Sequence, residues 1–235
     1  IFSNICTVRT VVLIWTLCAS SLLLQGCFPL YRASIPNQPI MKQKGDIEIS
    51  AGIETGSAFV EGSYAITDFA YATVGGLSWT NNNSSAYFAE GGIGFYQTKD
   101  KNGFSFSALG GYGESSALNN WWSTSTVNFI ETSAISTRYA RISIQPSYYF
   151  HRPYIDFAMI FRNSFVNWLS PETVGTDRPG IDIFFEPTLA FRAGPPNTKF
   201  FFDAGLQVPA FRSFSHYNAP FHLAVGVDVI FQKRK

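Results

Sequence analysis

The sequence predicts an all-β chain, a transmembrane antiparallel up-and-down β-barrel of about ten strands, with eight as the alternative count. Three observations predict it. From Asp46 onward apolar residues recur at every second position, and no useful length of sequence carries the helical period instead. The opposite faces hold Gly, Ala, Ser and isolated charges of both signs. A soluble sandwich would present rows of Lys, Glu and Thr there. Finally, the connections alternate between short and long, as in outer-membrane barrels, and a sandwich has no reason to do this.

Composition narrows the field. A chain of 235 residues suits one substantial domain, and an all-β domain of that size need not be split. Lys plus Arg number 17 and Asp plus Glu 16, so the net charge of +1 argues against nucleic acid as a partner. Aromatic residues make up 17% of the chain and charged ones 14%, so many aromatics must be hidden or set against lipid. The three cysteines, Cys6, Cys18 and Cys27, precede the main domain and exclude a disulfide framework there.

Taken in order, the first element is the apolar run Val11–Leu24, preceded by Arg9 and followed by Gly26-Cys27. It has the basic start, apolar centre of about 7–15 residues and small-residue cut of a secretory signal, and is shorter than the roughly 20 residues that span a bilayer. "LLLQGC", Leu22 to Cys27, resembles the bacterial lipobox, with Leu24 and Gly26 matching and Gln25 departing from it. The resemblance implies that residues 1–26 are a lipoprotein signal peptide and that Cys27 is lipidated. The competing reading is an ordinary signal peptide cut nearby. Residues 27–45 carry three prolines and no periodicity, and read as an extended periplasmic tether. Surface-exported lipoproteins of the Bacteroidetes carry acidic residues just after the cysteine, whereas the first here is Asp46; that comparison leaves the lipid on the periplasmic leaflet.

Residues 46–235 form the barrel domain, with strands expected at 46–54, 57–66, 69–80, 86–97, 103–114, 137–150, 154–166, 181–193, 198–208 and 221–232. The clearest is "FHLAVGVDVIF", with Phe221, Leu223, Val225, Val227, Val229 and Phe231 on one face and His222, Ala224, Gly226 and Asp228 on the other. "IDIFFEPTLAFRA" sets Ile181, Ile183, Phe185, Leu189 and Phe191 against Asp182, Glu186, Thr188 and Arg192. The earlier strands alternate more softly, with Gly, Ala and Ser on the second face. Short connections are expected near Thr67, at "TKDKNG", before Pro153 and at "GPPN". On the other end "ETG" is tight, "NNNSSA" intermediate, and three connections are long: Glu114–Ser136, "NWLSPETVGTDRPG" and "AFRSFSHYNAP". Trp79, Tyr148, Tyr154 and Trp168 are expected in interfacial aromatic girdles.

Two further stretches carry resemblances. "GVDVIF", Gly226 to Phe231, resembles the C-terminal signal read by barrel-assembly machinery, although "QKRK" follows it. Cys27, Pro29-Leu30-Tyr31, Asn37-Gln38-Pro39 and Gly45-Asp46 are similar to the start of small outer-membrane β-barrel lipoproteins of Bacteroidetes. That resemblance implies a bacterial outer-membrane location, with membrane lipid, the assembly machinery and a protein of an envelope complex as partners.

For chemistry, the second face supplies lumen charges: Glu61, Glu90, Arg141, Asp156, Asp182, Glu186, Arg192, Asp203 and Asp228, with Glu48 and Arg162 beside them. Buried charges in a narrow barrel must find partners, so ion-pair networks are expected before any ion path. His216 and His222, with Ser213, Ser215 and Asp177, are the catalytic candidates of a lipid-modifying enzyme, but "SFSH" matches no catalytic motif. His222 is expected instead as a lumen residue paired with a charge, and no catalytic residue is assigned. The three histidines lack metal-ligand spacing, and no cofactor is expected. The glycine pairs at 75–76, 91–92 and 110–111 sit within strands, where they ease packing or curvature. Trp121 and Trp122, in the longest connection, are candidates for contact with a partner or for folding back onto the lumen mouth. The function expected is structural or accessory, as anchor or subunit of an envelope assembly. A narrow channel is the alternative and a lipid-modifying enzyme the third.

Overall fold

A computed structural model describes residues 31, 34, 36–81, 84–99, 101–119, 133–169, 180–210 and 220–232. Ten antiparallel strands form the wall: β1 (Ile47–Glu54), β2 (Ser57–Ala65), β3 (Ala70–Asn81), β4 (Ser84–Lys99), β5 (Asn102–Asn119), β6 (Ser133–His151), β7 (Ile155–Trp168), β8 (Ile181–Ala193), β9 (Thr198–Leu206) and β11 (Phe221–Phe231). A two-residue strand, β10 (Val208–Pro209), follows β9 and pairs with β8. Each strand from β1 to β8 pairs with its sequence neighbour; β11 pairs with β1 and β9, and β9 with β8, which closes the barrel. Closure removes every free sheet edge.

All ten expected segments are strands. The largest differences lie at one end. β5 and β6 continue to Asn119 and from Ser133, pairing through Asn119↔Ser133, so the connection expected over Glu114–Ser136 is confined to 120–132. β3 and β4 likewise continue to Asn81↔Ser84, leaving two residues between them. Two connections at that end are therefore tight and three long, and the opposite end carries short turns throughout. We call these the long-connection and short-turn ends.

Outward and inward faces are chemically distinct. Each of the ten wall strands points at least one large apolar side chain outward into the open, among them Ile53, Val60, Val74, Ile93, Phe104, Ile142, Phe161, Leu189, Phe200 and Val225. Inward positions are mostly polar, aromatic or small, with a few aliphatic side chains such as Ile160 and Val166 among them. Several lumen tyrosines lie over a glycine directly across the ladder: Tyr71 opposite Gly94, Tyr149 opposite Gly103 and Tyr139 opposite Gly113. A Cβ at Gly103 would stand 2.2 Å from the Tyr149 ring, so the missing side chain is what makes room for the aromatic.

Prolines interrupt two ladders. Pairing of β6 with β7 lapses between Ile144↔Asn163 and Ser147↔Ile160, at Gln145-Pro146. Pairing of β8 with β9 and β10 lapses between Thr188↔Gly205 and Phe185↔Val208, at Glu186-Pro187, with the register unchanged on both sides. Proline has no N–H to donate to a ladder.

The expectation of a tether free of the barrel is corrected. Tyr31, Ser34, Pro36 and Gln38 to Met41 are buried, and this stretch runs through the lumen as a strap before turning into β1. The turn is made at Gly45, whose φ of 90° suits glycine and whose N–H donates to the Ala65 carbonyl at 2.8 Å. Asp46 Oδ2 accepts from the N–H groups of Lys42 and Gln43 at 3.0 and 3.2 Å, fixing the corner. The strap lies inside because the wall offers partners to Tyr31, Ser34, Asn37, Gln38, Ile40 and Met41.

Candidate functional site

The lumen is where the chain concentrates its polar side chains. Three guanidinium groups grip the strap. Arg141 donates to Glu90 at 2.6 Å, to Ser34 Oγ at 2.6 Å and to Tyr31 Oη at 3.1 Å, and its head lies 4.1 Å from the centroid of the Phe88 ring. Arg162 donates to the Ser34 carbonyl at 2.8 Å and to Gln145 Oε1 at 2.9 Å. Arg192 donates to the Gln38 carbonyl at 2.8 Å and to Glu48 at 3.0 Å, and stands 3.1 Å from Asp228. Planar, multiply donating guanidinium groups serve a carboxylate and a carbonyl at once, which a lysine could not do as well.

Other wall residues complete the grip. Glu90 accepts from Ser34 Oγ at 2.7 Å, and Glu186 from Tyr31 Oη at 3.1 Å. Gln145 donates to the Asn37 carbonyl at 2.8 Å, and Ser105 and Ser147 both donate to Gln38 Oε1. Glu48 accepts from the Ile40 N–H at 3.0 Å, and Thr98 donates to the Met41 carbonyl at 3.0 Å. Tyr31 stacks on Phe184, with centroids 4.6 Å apart, and meets Tyr139 and Trp168 edge-on. A remaining void beside the strap, bounded by Asn37, Pro39, Glu61, Thr73, Glu90 and Arg162 among others, measures about 10 Å³. That is the room of about one water.

The charged residues expected in the lumen are placed as follows. Glu90, Arg141, Asp156, Asp182, Glu186, Arg192, Asp203 and Asp228 are buried there, and Glu61 is half-buried and accepts from Thr73 at 3.0 Å. Asp182 accepts from the Trp168 indole at 2.8 Å. Asp156 lies at the short-turn end, 2.5 Å from Lys199 and 2.6 Å from His151. Lys199 is the lumen cation that the sequence reading passed over. It shares its inward parity with Phe201 and Asp203 on β9, so the strand's period could have found it. Among the described residues Asp203 is joined to no ion pair, and its Oδ1 has no hydrogen-bond partner.

Three aromatic or histidine assignments change. Trp168 faces the lumen and is 5% exposed, so it is not part of a girdle, and Trp79 is half-buried; Tyr148 and Tyr154 do point outward. His222 faces the lumen, but its partner is the Thr188 hydroxyl at 3.0 Å instead of a charge. It is 4% exposed and remote from the outer surface, where a lipid substrate would lie. Among the described residues no group of three or more His, Cys, Asp or Glu side chains is placed to hold a metal ion. Cys27, Trp121, Trp122, Asp177, Ser213, Ser215 and His216 lie outside the described residues.

No family model matches the chain, and no curated protein matches it either.

Proposed function

We propose that the chain is an outer-membrane β-barrel lipoprotein of the bacterial envelope with a structural or accessory role, an anchor or subunit of an envelope assembly with no open passage through it. One observation carries this reading: the wall is apolar toward the outside on all ten strands, while its polar interior is filled by the chain's own strap. Soluble monomers rarely expose apolar patches beyond roughly 300–600 Å², and a continuous belt around a barrel far exceeds a patch. Lipid is the solvent that such a belt fits. Gly226 to Phe231, at the end of β11, supplies the C-terminal segment that barrel-assembly machinery would read. Cys27 would hold the lipid.

The filled lumen weighs against a narrow channel. Arg141, Arg162 and Arg192 are committed to strap atoms and to carboxylates, and the void beside the strap is only about 10 Å³. Of the residues considered for a lipid-modifying enzyme, His222 is buried in the lumen, away from the outward face.

The deciding measurement is planar-bilayer recording of the purified full chain. A silent protein is expected, and discrete conductance steps would overturn the reading of a closed barrel. Retrieval of the protein from native membranes in mild detergent should bring down an envelope partner. Deletion of residues 120–132 tests whether Trp121 and Trp122 hold it.

A further inference from the structure

The strap has a direction, and that direction decides which end of the barrel receives the mature N-terminus. Its contacts advance in step with β6. Tyr31 meets Tyr139 and Arg141, Ser34 meets Arg141, Asn37 meets Gln145, and Gln38 meets Ser147. Ile40 then joins the apolar cluster around Tyr149, and the Met41 carbonyl meets Thr98, itself 2.6 Å from the Tyr149 hydroxyl. From Tyr31 to Met41 the described contacts keep a nearly constant offset from β6, so the strap runs parallel to it and covers the same length.

β6 begins at the long connection 120–132 and ends at the turn 152–154. Tyr31 therefore lies toward the long-connection end, beside Trp168, the last residue of β7. Met41 lies at the short-turn end, from which β1 starts upward at Ile47, paired with Tyr64 and Phe231. From Tyr31 to Met41 an extended chain covers about 33 Å at roughly 3.3 Å per residue. Cys27 precedes Tyr31 by four residues, which span at most about 14 Å. Position 27 cannot reach back to the short-turn end.

We infer that the strap carries the N-terminal side of the chain through the barrel, so that Cys27 and the lipid on its sulfur are presented at the long-connection end. This rests on the outer-membrane lipoprotein reading above, in which that end faces the cell exterior, and it reverses the expectation of a periplasmic lipid. The three arginines hold the strap in place: withdrawing it would leave buried guanidinium groups without the carbonyl and hydroxyl oxygens they serve. The lipid then faces the outer leaflet or a surface partner.

Lipid attachment at Cys27, with removal of the segment carrying Cys6 and Cys18, would leave the mature chain without a free thiol, so single cysteines report cleanly. Three full-length variants, Leu30→Cys, Thr176→Cys in a long connection and Asn197→Cys in a short turn, would be labelled with a membrane-impermeant maleimide. Labelling is done on intact cells and again after the outer membrane is permeabilised. Leu30→Cys should label on intact cells to the same extent as Thr176→Cys, and Asn197→Cys only after permeabilisation. Leu30→Cys behaving like Asn197→Cys, or protected in both conditions, would overturn the threading. Equal labelling of Thr176→Cys and Asn197→Cys would instead remove the membrane-spanning reading, and the threading with it. Heat-modifiable mobility on gels reports that each variant has folded. Mass spectrometry of the N-terminal peptide tests the lipid separately: an unmodified Cys27 removes the lipid from the proposal and leaves the direction of the strap to the labelling.

Discussion

Arg141 shows how much one lumen residue carries. It is 1% exposed and serves Glu90, Ser34 and Tyr31 together. Removing one partner of a buried pair strands the other charge, at a cost of about 3–5 kcal/mol. Arg141→Ala should therefore lower unfolding stability in detergent or lipid by about that amount. Arg138→Ala is the control: its side chain is 58% exposed and its 3.2 Å pair with Glu114 lies near the surface. It should cost about 0–1 kcal/mol. Similar losses from both variants would mean that the lumen network adds nothing beyond a surface pair. At Gly103 the limit is space, since any Cβ meets the Tyr149 ring. Gly103→Ala should destabilise by about 1–3 kcal/mol through overpacking, and pairing it with Tyr149→Phe should not restore the loss, because the Phe ring still occupies the space. A Gly103→Ala barrel of unchanged denaturant midpoint would refute this.

Among the elements, strands were legible and the strap was not, for a physical reason. A wall between two contrasting surroundings imposes a period of two, and β7, β8 and β11 write it plainly in Phe, Ile and Val against Asp, Arg and Glu. The same parity puts Glu90, Arg141 and Arg192 on the inward face. The strap has no period of its own. Its burial depends on the width of the barrel and on the spacing of Arg141, Arg162 and Arg192 around it, and neither is written in residues 31–45. Pro36 and Pro39 in that stretch look like those of any linker. Strand ends are hidden for a related reason: Ser and Asn near 115–119 and 133–136 read as loop, yet the β5–β6 ladder continues through them. The corner at Gly45 does have a local signature, and Gly45→Ala should cost about 1–2 kcal/mol, the penalty of a left-handed backbone for an L-residue. The check is a denaturant midpoint compared with that of Lys44→Ala, an exposed neighbour expected to be near neutral.

At the scale of the whole molecule, the outward belt makes a prediction about solvent. Val225 lies mid-strand on β11 and is 54% exposed. Val225→Arg should destabilise the barrel in lipid vesicles by about 2–4 kcal/mol, the cost of an arginine near the bilayer centre. A neutral effect in vesicles would argue that this face meets water. The prolines at 146 and 187 leave the molecule with two seams where main-chain stitching lapses. Side chains bridge them from within: Arg162 on β7 reaches Gln145 on β6, and Gln207 donates to Glu186 on β8 at 3.4 Å. The cylinder is thus unevenly sewn. Under tension or heat these two lines should part first, and deuterium uptake by their flanking amides should outpace that of the unbroken β4–β5 ladder. A part of the chain that the strap leans on would then also be the part that gives way when the strap is pulled.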